Sequence, residues 1–592
     1  MAAPHLPDPQ APSDLKGLPD LKAHLASLFA AALARVAPGM TAAVTLERPR
    51  QAEHGDFACN IALQMAKPLK RNPREIAQAL VAALPPSAVL ERADIAGAGF
   101  INLYLRAEAK RGVIPQVLTA GDAYGNVGYG QGKKVQVEFV SANPTGPLHV
   151  GHGRGAAYGA SLANVLAAAG FNVSREYYVN DAGRQMDILG LSTWLRYLEL
   201  QGVVVAFPPN AYQGDYVREM AAAVAAAHGK RFVRAAEVIT DGIASLEADA
   251  EAHLDALIAR AKQLLGDEYK YVHDYALTEQ LEDCRNDLLE FGVTFDHWFS
   301  ERSLYDTGHV ERALARLQEA GHLYEQDAAV WFRSSAFGDE KDRVVKRENG
   351  QYTYFASDIA YHLNKFERGF EIVIDVWGAD HHGYIPRVKG ALQAAGIDPA
   401  LLTVALVQFA VLYRAGKKVS MSTRAGEFVT LRELRQEVGN DAARFFYVLR
   451  KSDQHLDFDL DLAKSQSTDN PVYYVQYAHA RIHSVLDKWA GYRPDLLQAD
   501  LSPLERPEEL ALLRQVMEFP QVIEDAARDL APHLVAFYLK ELAGGFQSYY
   551  QAVPFLVEDT GVRNARLALI SAIGQVLRNG LRLLGVSAPE KM

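Results

Sequence analysis

The stretch from Lys133 to Gly170 constrains the fold of this chain more than any other. KKVQVEFV (Lys133 to Val140), with Val135, Val137, Phe139 and Val140, reads as a buried β-strand, and the turn-rich SANPTGPLHVGHGRG follows it. An Ala-rich helix is predicted from about Ala156 to Ala169, stopped at Gly170, and FNVSREYYV reads as a second strand. A strand, a Gly-rich loop opening a helix, and a further strand are how a doubly wound nucleotide-binding sheet begins. Its ligand sits where the loop meets the helix.

The remaining sequence fits around that unit, and at 592 residues it exceeds what one hydrophobic core can serve. Residues 1–20 hold five prolines and few large apolar groups, and a flexible leader is expected there. Two amphipathic helical patterns and the strand-like GFINLYL assign 21–130 to a small α+β domain. A Rossmann domain is expected over 131–430, split by a helical insertion at about 191–291, with strand-like pieces near Val293, Val330 and Ile372. From Leu431 onward helical periodicity dominates, so 431–592 reads as an all-α domain. The fold class is therefore α/β multidomain, with a split, doubly wound parallel sheet between a small α+β domain and a helical one.

Composition enters as a set of exclusions. A net charge of −11 argues against indiscriminate coating of nucleic acid, while leaving room for a local basic groove. Cys59 and Cys284 lie far apart with no Cys or His at metal-ligand spacing, which excludes a zinc knuckle and a disulfide framework. No basic-then-apolar leader and no 18-residue apolar run is found, so no membrane association is expected and the location is read as cytoplasmic.

The chemistry concentrates in the loop, where His149 and His152 bracket Gly151. Backbone amides and the helix dipole at such a switch favour phosphate. Imidazoles hydrogen-bond phosphoryl oxygens as charge develops, and a glycine lets an adenine ring lie against the backbone. The set suits ATP. The same glycines also satisfy a dinucleotide fingerprint through Gly151, Gly153 and Ala156. That rival wants an acid about 20 residues on; the nearest is Glu176, 25 beyond Gly151 and inside the strand, and the two histidines are left without a role.

PLHVGHGRG resembles the HIGH motif of class I aminoacyl-tRNA synthetases, and EFVSANPTGPLHVGH is similar to the arginyl branch in particular. HGDFACNIALQMAK, YVNDAGRQMDILG, YTYFASDIAYH, WGADHHGY and MSTRAGEFVTL appear in that family's order, so the resemblance runs from about His54 to the C-terminus. It implies ATP-dependent ligation of L-arginine to tRNA-Arg through an arginyl-adenylate, with tRNA bound before the adenylate forms. It further implies Mg²⁺ carried on the ATP phosphates, no structural metal, and a monomer.

By the same resemblance His149 and His152 contact the ATP phosphates, and Asn143, Pro144, Gly146, Gly151, Asp380, His381 and Met421 line the nucleotide site. MSTR corresponds to the KMSKS loop, but Ser420 and Thr423 stand where lysines are usual. Lys417, Lys418, Ser422 and Arg424 are the candidates to act there, and Gly146 lies where some arginyl enzymes place a substitute lysine. A guanidinium is a planar, permanently charged fork best held by carboxylates. The resemblance puts Glu138, Tyr354 and Asp358 around it, with Asn143 and His381 on the polar end of the amino acid. Tyr354 and Asp358 are four apart and share a helical face. Glu138, an acid in an apolar strand, requires a cation from a side chain or from the substrate.

Contacts to tRNA are assigned to Phe100 and Asn102 in the N-terminal domain, and to Tyr477, Arg481, Arg563 and Arg566 in the helical domain that resembles an anticodon-binding one. Two other readings stay open: a dinucleotide-dependent oxidoreductase, and a catalytically idle tRNA-binding relative.

Overall fold

The computed structural model describes residues 21–47, 49, 52–243, 249–419, 429–489 and 491–592. The expected leader lies outside them. Helices Leu21–Val36, Ile61–Leu69 and Pro73–Ala83 accompany an antiparallel sheet of β1 (Leu46–Glu47), β2 (Phe57–Cys59), β3 (Leu90–Ala96) and β4 (Phe100–Leu105), in the order β1-β2-β4-β3. Asn72 starts the third of these helices by accepting from the Arg74 amide, with Pro73 at the first helical position.

β5 (Lys134–Glu138) opens the central sheet, helix Val150–Ala168 crosses over, and β6 (Asn172–Val179) pairs parallel to β5. This helix begins earlier than its Ala-rich part indicates, because His149 caps it and Gly151, Gly153 and Gly155 are taken into its first turns. Described residues between β6 and β7 (His297–Ser300) form helices only, the largest being Arg184–Leu200, Asp215–His228, Ala250–Leu265 and Asp267–Glu290. They close over a core of their own around Trp194.

A small antiparallel sheet of β8 (Leu323–Gln326), β9 (Ala329–Phe332) and β10 (Arg343–Lys346) precedes the return to the central sheet. β11 (Ile372–Gly378) and β12 (Leu402–Val407) complete that sheet in the order β12-β11-β5-β6-β7, parallel throughout. Strand order reverses between β5 and β11, which is the switch point at which open α/β sheets bind ligands.

β13 (Ala410–Arg414), β14 (Lys417–Lys418) and β15 (Leu456–Asp459) form a further short sheet. β15 departs from the all-helical reading of 431–592: LDFD alternates buried and exposed residues and pairs parallel to β13. The chain then runs through helices Pro471–Trp489, Pro507–Arg528, His533–Ala552 and Thr560–Leu583. No described helix is long and apolar enough to cross a membrane.

Candidate active site

The two-histidine loop is built by backbone pairing at a helix start. His149 is the N-cap, with its Nδ1 accepting from the Gly151 amide at 3.0 Å, and the His152 Nδ1 accepts from the His149 amide at 3.3 Å. The rings stack at 3.7 Å between centroids. Burial lowers the pKa of both; that of His152 falls to about 3, with His149 adding to the effect. Two neutral imidazoles therefore stand at the positive end of a helix.

Gly151 has a defined steric task. A Cβ there would lie 2.7 Å from the His149 ring and 3.3 Å from Phe409, a half-exposed aromatic just after β12. At Gly146 a Cβ would come within 3.1 Å of the Tyr216 hydroxyl, which donates to the Thr145 carbonyl at 2.6 Å, so the helical insertion closes over this position.

Backbone bonds also tie the loop to the segment after residue 428. The Val150 amide donates to Val429 O at 3.1 Å, the Leu431 amide donates to Leu148 O at 2.8 Å, and His149 bridges to Thr430. Met421, Ser422 and Arg424 lie outside the described residues, while Lys417 and Lys418 are exposed on β14. Fully buried Arg154 fixes the same region, donating to the carbonyls of Gln408 and Gln454 at 2.7 Å and of Lys451 at 2.9 Å.

Across the central strands the register sets three acids side by side: Glu138, the last residue of β5, faces Glu176 within β6 and Asp375 within β11. Like charges in a row need cations, and the helix Tyr354–Glu367 with its end supplies them. The Lys365 ammonium donates to Glu138 Oε2 at 2.5 Å and to Asp375 Oδ1 at 2.7 Å, His362 Nε2 lies 2.9 Å from Asp375, and Arg368 grips Glu176 at 2.5 and 2.9 Å. Burial opposes the charge on Lys365, yet Asp375 and Glu138 hold its pKa above the usual value. Burial likewise opposes the charge on Asp375, and Lys365 and His362 hold it well below the usual range.

Glu138 thus already has a side-chain cation, the alternative to a substrate cation. Its second oxygen accepts from the Ser141 hydroxyl at 2.9 Å, and that hydroxyl accepts from the Tyr178 amide at 3.1 Å. The turn that places Ser141 is strained: Val140 and Ser141 have φ of +69° and +42°, a costly region for side-chain-bearing residues, above all a β-branched one.

Asp358 is half-buried and accepts from the Tyr384 hydroxyl. Burial raises its pKa, against the opposing pull of the Tyr384 hydroxyl, His362 and Lys365. Tyr354, 62% exposed, opens the same helix one turn earlier, close to Gly183. Asn143 donates to Gln185 at 2.7 Å, and Pro144 follows it in the loop. Asp380 and His381 are exposed on the turn after β11, 3.6 Å apart.

The residues assigned to tRNA lie away from this edge. Phe100 is 39% exposed on β4, whereas Asn102 two residues on is buried. Arg481 is held by Gln547 at 2.6 Å and Tyr477 at 2.5 Å, and Arg566 by buried Glu509 at 3.3 Å and the Pro554 carbonyl at 2.9 Å, so both brace helices in the free protein. Arg563 reaches the Val557 carbonyl and Thr560 at 3.4 and 3.3 Å.

Sequence reasoning passed over Lys365, Asp375, Tyr384 and Arg154. One signal was available: Asp358, His362 and Lys365 follow a four-then-three spacing, one polar stripe on an otherwise buried helix.

Family models divide the chain into three matches. One described as the class I (R) tRNA synthetase catalytic domain covers residues 113–456, the arginyl tRNA synthetase N terminal domain covers 23–105, and the DALR anticodon binding domain covers 475–592. Curated relatives named arginine--tRNA ligase, from Nitrosospira multiformis and Azoarcus sp., are 66% and 64% identical over 97% of this chain and 99% and 100% of theirs. The arginyl-tRNA synthetase of Thermus thermophilus superposes with a TM-score of 0.72 at 25% identity, covering 97% of this chain and all of that one. The chain belongs to the arginyl-tRNA synthetase family.

Proposed function

We propose that the protein ligates L-arginine to tRNA-Arg at the expense of ATP. The observation that carries this reading is the juxtaposition at the carboxyl side of one sheet of a neutral two-histidine helix start and an acid-rich pocket in which, among the described residues, Asp358 has a hydroxyl and no basic side chain as its hydrogen-bond donor. The first is suited to nucleotide phosphates and the second to a guanidinium. An oxidoreductase reading is not favoured, because Glu176, its candidate ribose acid, is engaged by Arg368.

In the first step a carboxylate oxygen of arginine attacks the α-phosphorus, the bond from that phosphorus to the bridging oxygen breaks, and pyrophosphate leaves with the electron pair. Chemistry of this kind is accelerated by positioning and by stabilising charge on the phosphoryl oxygens. His149 and His152 would donate to those oxygens, Gly151 and Phe409 would border the adenine, and Lys417, Lys418 and Arg424 would supply the cations that Ser420 and Thr423 do not. Asp358 with Tyr354 would clamp the guanidinium while Asn143 and His381 orient the amino acid, and Glu138, held by Lys365, would shape the wall. Mg²⁺ would arrive on the nucleotide. In the second step the terminal ribose hydroxyl of tRNA attacks the acyl carbon and AMP departs.

The division at 21–130, 131–430 and 431–592 assigns the outer domains to tRNA, with Phe100, Asn102, Tyr477, Arg481, Arg563 and Arg566 as contacts, in a monomer in the cytoplasm. Pyrophosphate exchange into ATP across the twenty amino acids, with and without bulk tRNA, tests the whole reading. Exchange with arginine alone, appearing on addition of tRNA, is the expected result; silence with every amino acid while ATP still binds would overturn it.

A further inference from the structure

From Phe139 to Leu148 the chain forms neither helix nor strand, yet this loop decides where the two-histidine helix begins. Its two ends are pinned from nearby. Tyr177 on β6 donates to the Ala142 carbonyl at 2.8 Å, and the Leu148 carbonyl accepts from the Leu431 amide at 2.8 Å. Its middle is pinned from the helical insertion. Tyr216, on the helix Asp215–His228, donates its hydroxyl to the Thr145 carbonyl at 2.6 Å, and Gln185, at the start of Arg184–Leu200, accepts from Asn143 at 2.7 Å.

The tyrosine is closely fitted on both sides. A Cβ at Gly146 would come within 3.1 Å of the hydroxyl, and one at Gly214 would lie 2.3 Å from the ring, so the two glycines confine it. Neither glycine takes a positive φ, so a side chain there would violate space and not backbone conformation. The ring packs on a small core of Leu189, Val217, Met220 and Ala276, which joins three helices of the insertion. Burial pushes the Tyr216 pKa further up, and the hydroxyl remains a donor.

We propose that Tyr216 is a positioning residue for the first step: by holding the Thr145 carbonyl it fixes the loop that sets His149 at the helix start, and through it the helical insertion governs the geometry of the nucleotide site. The inference rests on the ATP reading of that site given above. Thr145 and His149 are only four residues apart, and the backbone between them has no helix or strand to hold it. Without the hydroxyl the Thr145 carbonyl turns to water and the backbone before His149 is free to shift. Catalysis by aimed donors is sensitive to displacements on the order of 0.5–1 Å.

Pyrophosphate exchange with arginine and tRNA, measured on the full-length protein and on Tyr216→Phe, reads the effect. The substitution keeps the ring and removes one hydrogen bond; kcat is expected to fall about tenfold, with the KM for arginine changed by less than about twofold. An unchanged kcat, even beside a lower midpoint of urea unfolding, would overturn the role, since a purely structural bond affects stability alone. Gly146→Ala sharpens the test, because its methyl group presses on the same hydroxyl from the loop side. It is expected to lower kcat about tenfold in the wild-type background and less than about threefold beside Tyr216→Phe. Equal factors in the two backgrounds would overturn the role. Should Tyr216→Phe not fold, Gly146→Ala alone decides, and an unchanged kcat there overturns the role as well. Wild-type protein with no arginine-dependent exchange would remove the ATP reading and the role of Tyr216 together, whereas exchange that both substitutions leave intact removes the role alone.

Discussion

The nucleotide end and the amino acid end of this site sit on one sheet edge but are organised by opposite means. The helix start at the nucleotide end carries no charge: the imidazoles are neutral, their Nδ1 atoms accept from backbone amides, and Gly151 makes room for the ring that caps it. At the amino acid end the geometry is ionic, with Lys365 inserted between Glu138 and Asp375 and Arg368 on Glu176. The difference teaches where each half obtains its charge. A triphosphate brings its own anions and metal, so the protein has only to aim donors; a guanidinium brings one cation, so the protein must store anions and keep them apart until it arrives.

Removing the stored cation should break this contrast most severely. Lys365→Met leaves two buried carboxylates facing each other, and a loss of about 3–5 kcal/mol in urea unfolding is expected; a loss below about 1 kcal/mol would mean that the acids are not held by charge. His149→Asn keeps a cap acceptor but withdraws the ring, and kcat for pyrophosphate exchange should fall about 100-fold with little change in the KM for ATP. Asp358→Asn should raise the KM for arginine by about 10- to 50-fold and leave that for ATP unaltered, because one clamp charge is lost at constant size.

The smallest effect is a pH dependence. In the unfolded chain His152 takes up a proton below about pH 6.5, whereas in the folded protein it resists down to about 3, so stability declines as pH falls through that window. At pH 5 the deficit is about 1–2 kcal/mol, and His152→Gln should remove it. Chemical denaturation of both proteins at pH 7 and pH 5 provides the check; parallel curves would show that burial does not depress this imidazole.

Much of this was legible in the sequence because the informative segments are simple. KKVQVEFV carries strand-forming Val135, Val137, Phe139 and Val140, and two histidines around a glycine after it have few structural uses. The identity of the Glu138 partner was not legible. Register across β5, β6 and β11 decides which acids are neighbours, and β11 lies more than two hundred residues downstream, beyond the reach of any local pattern. Helix Val150–Ala168 was read too short because three glycines look like loop until a cap and a sheet hold them. The small sheet β8-β9-β10 left only one strand-like signal near Val330, since its strands are four residues long and mostly half-exposed.

The strand order has a consequence for synthesis. β5 pairs with β11, whose first residue, Ile372, emerges 234 residues after Glu138. At about 5–20 residues per second a ribosome takes roughly 12–47 s to cover that distance. Throughout that interval β5 lacks one neighbour, and Glu138 waits for a lysine not yet translated. The helical insertion, with a core of its own, is complete in the meantime. The catalytic sheet is therefore begun before the helical insertion and finished after it, and a nascent chain stalled before Lys365 would present Glu138 and Glu176 to the chaperones around it without the cations that later hold them.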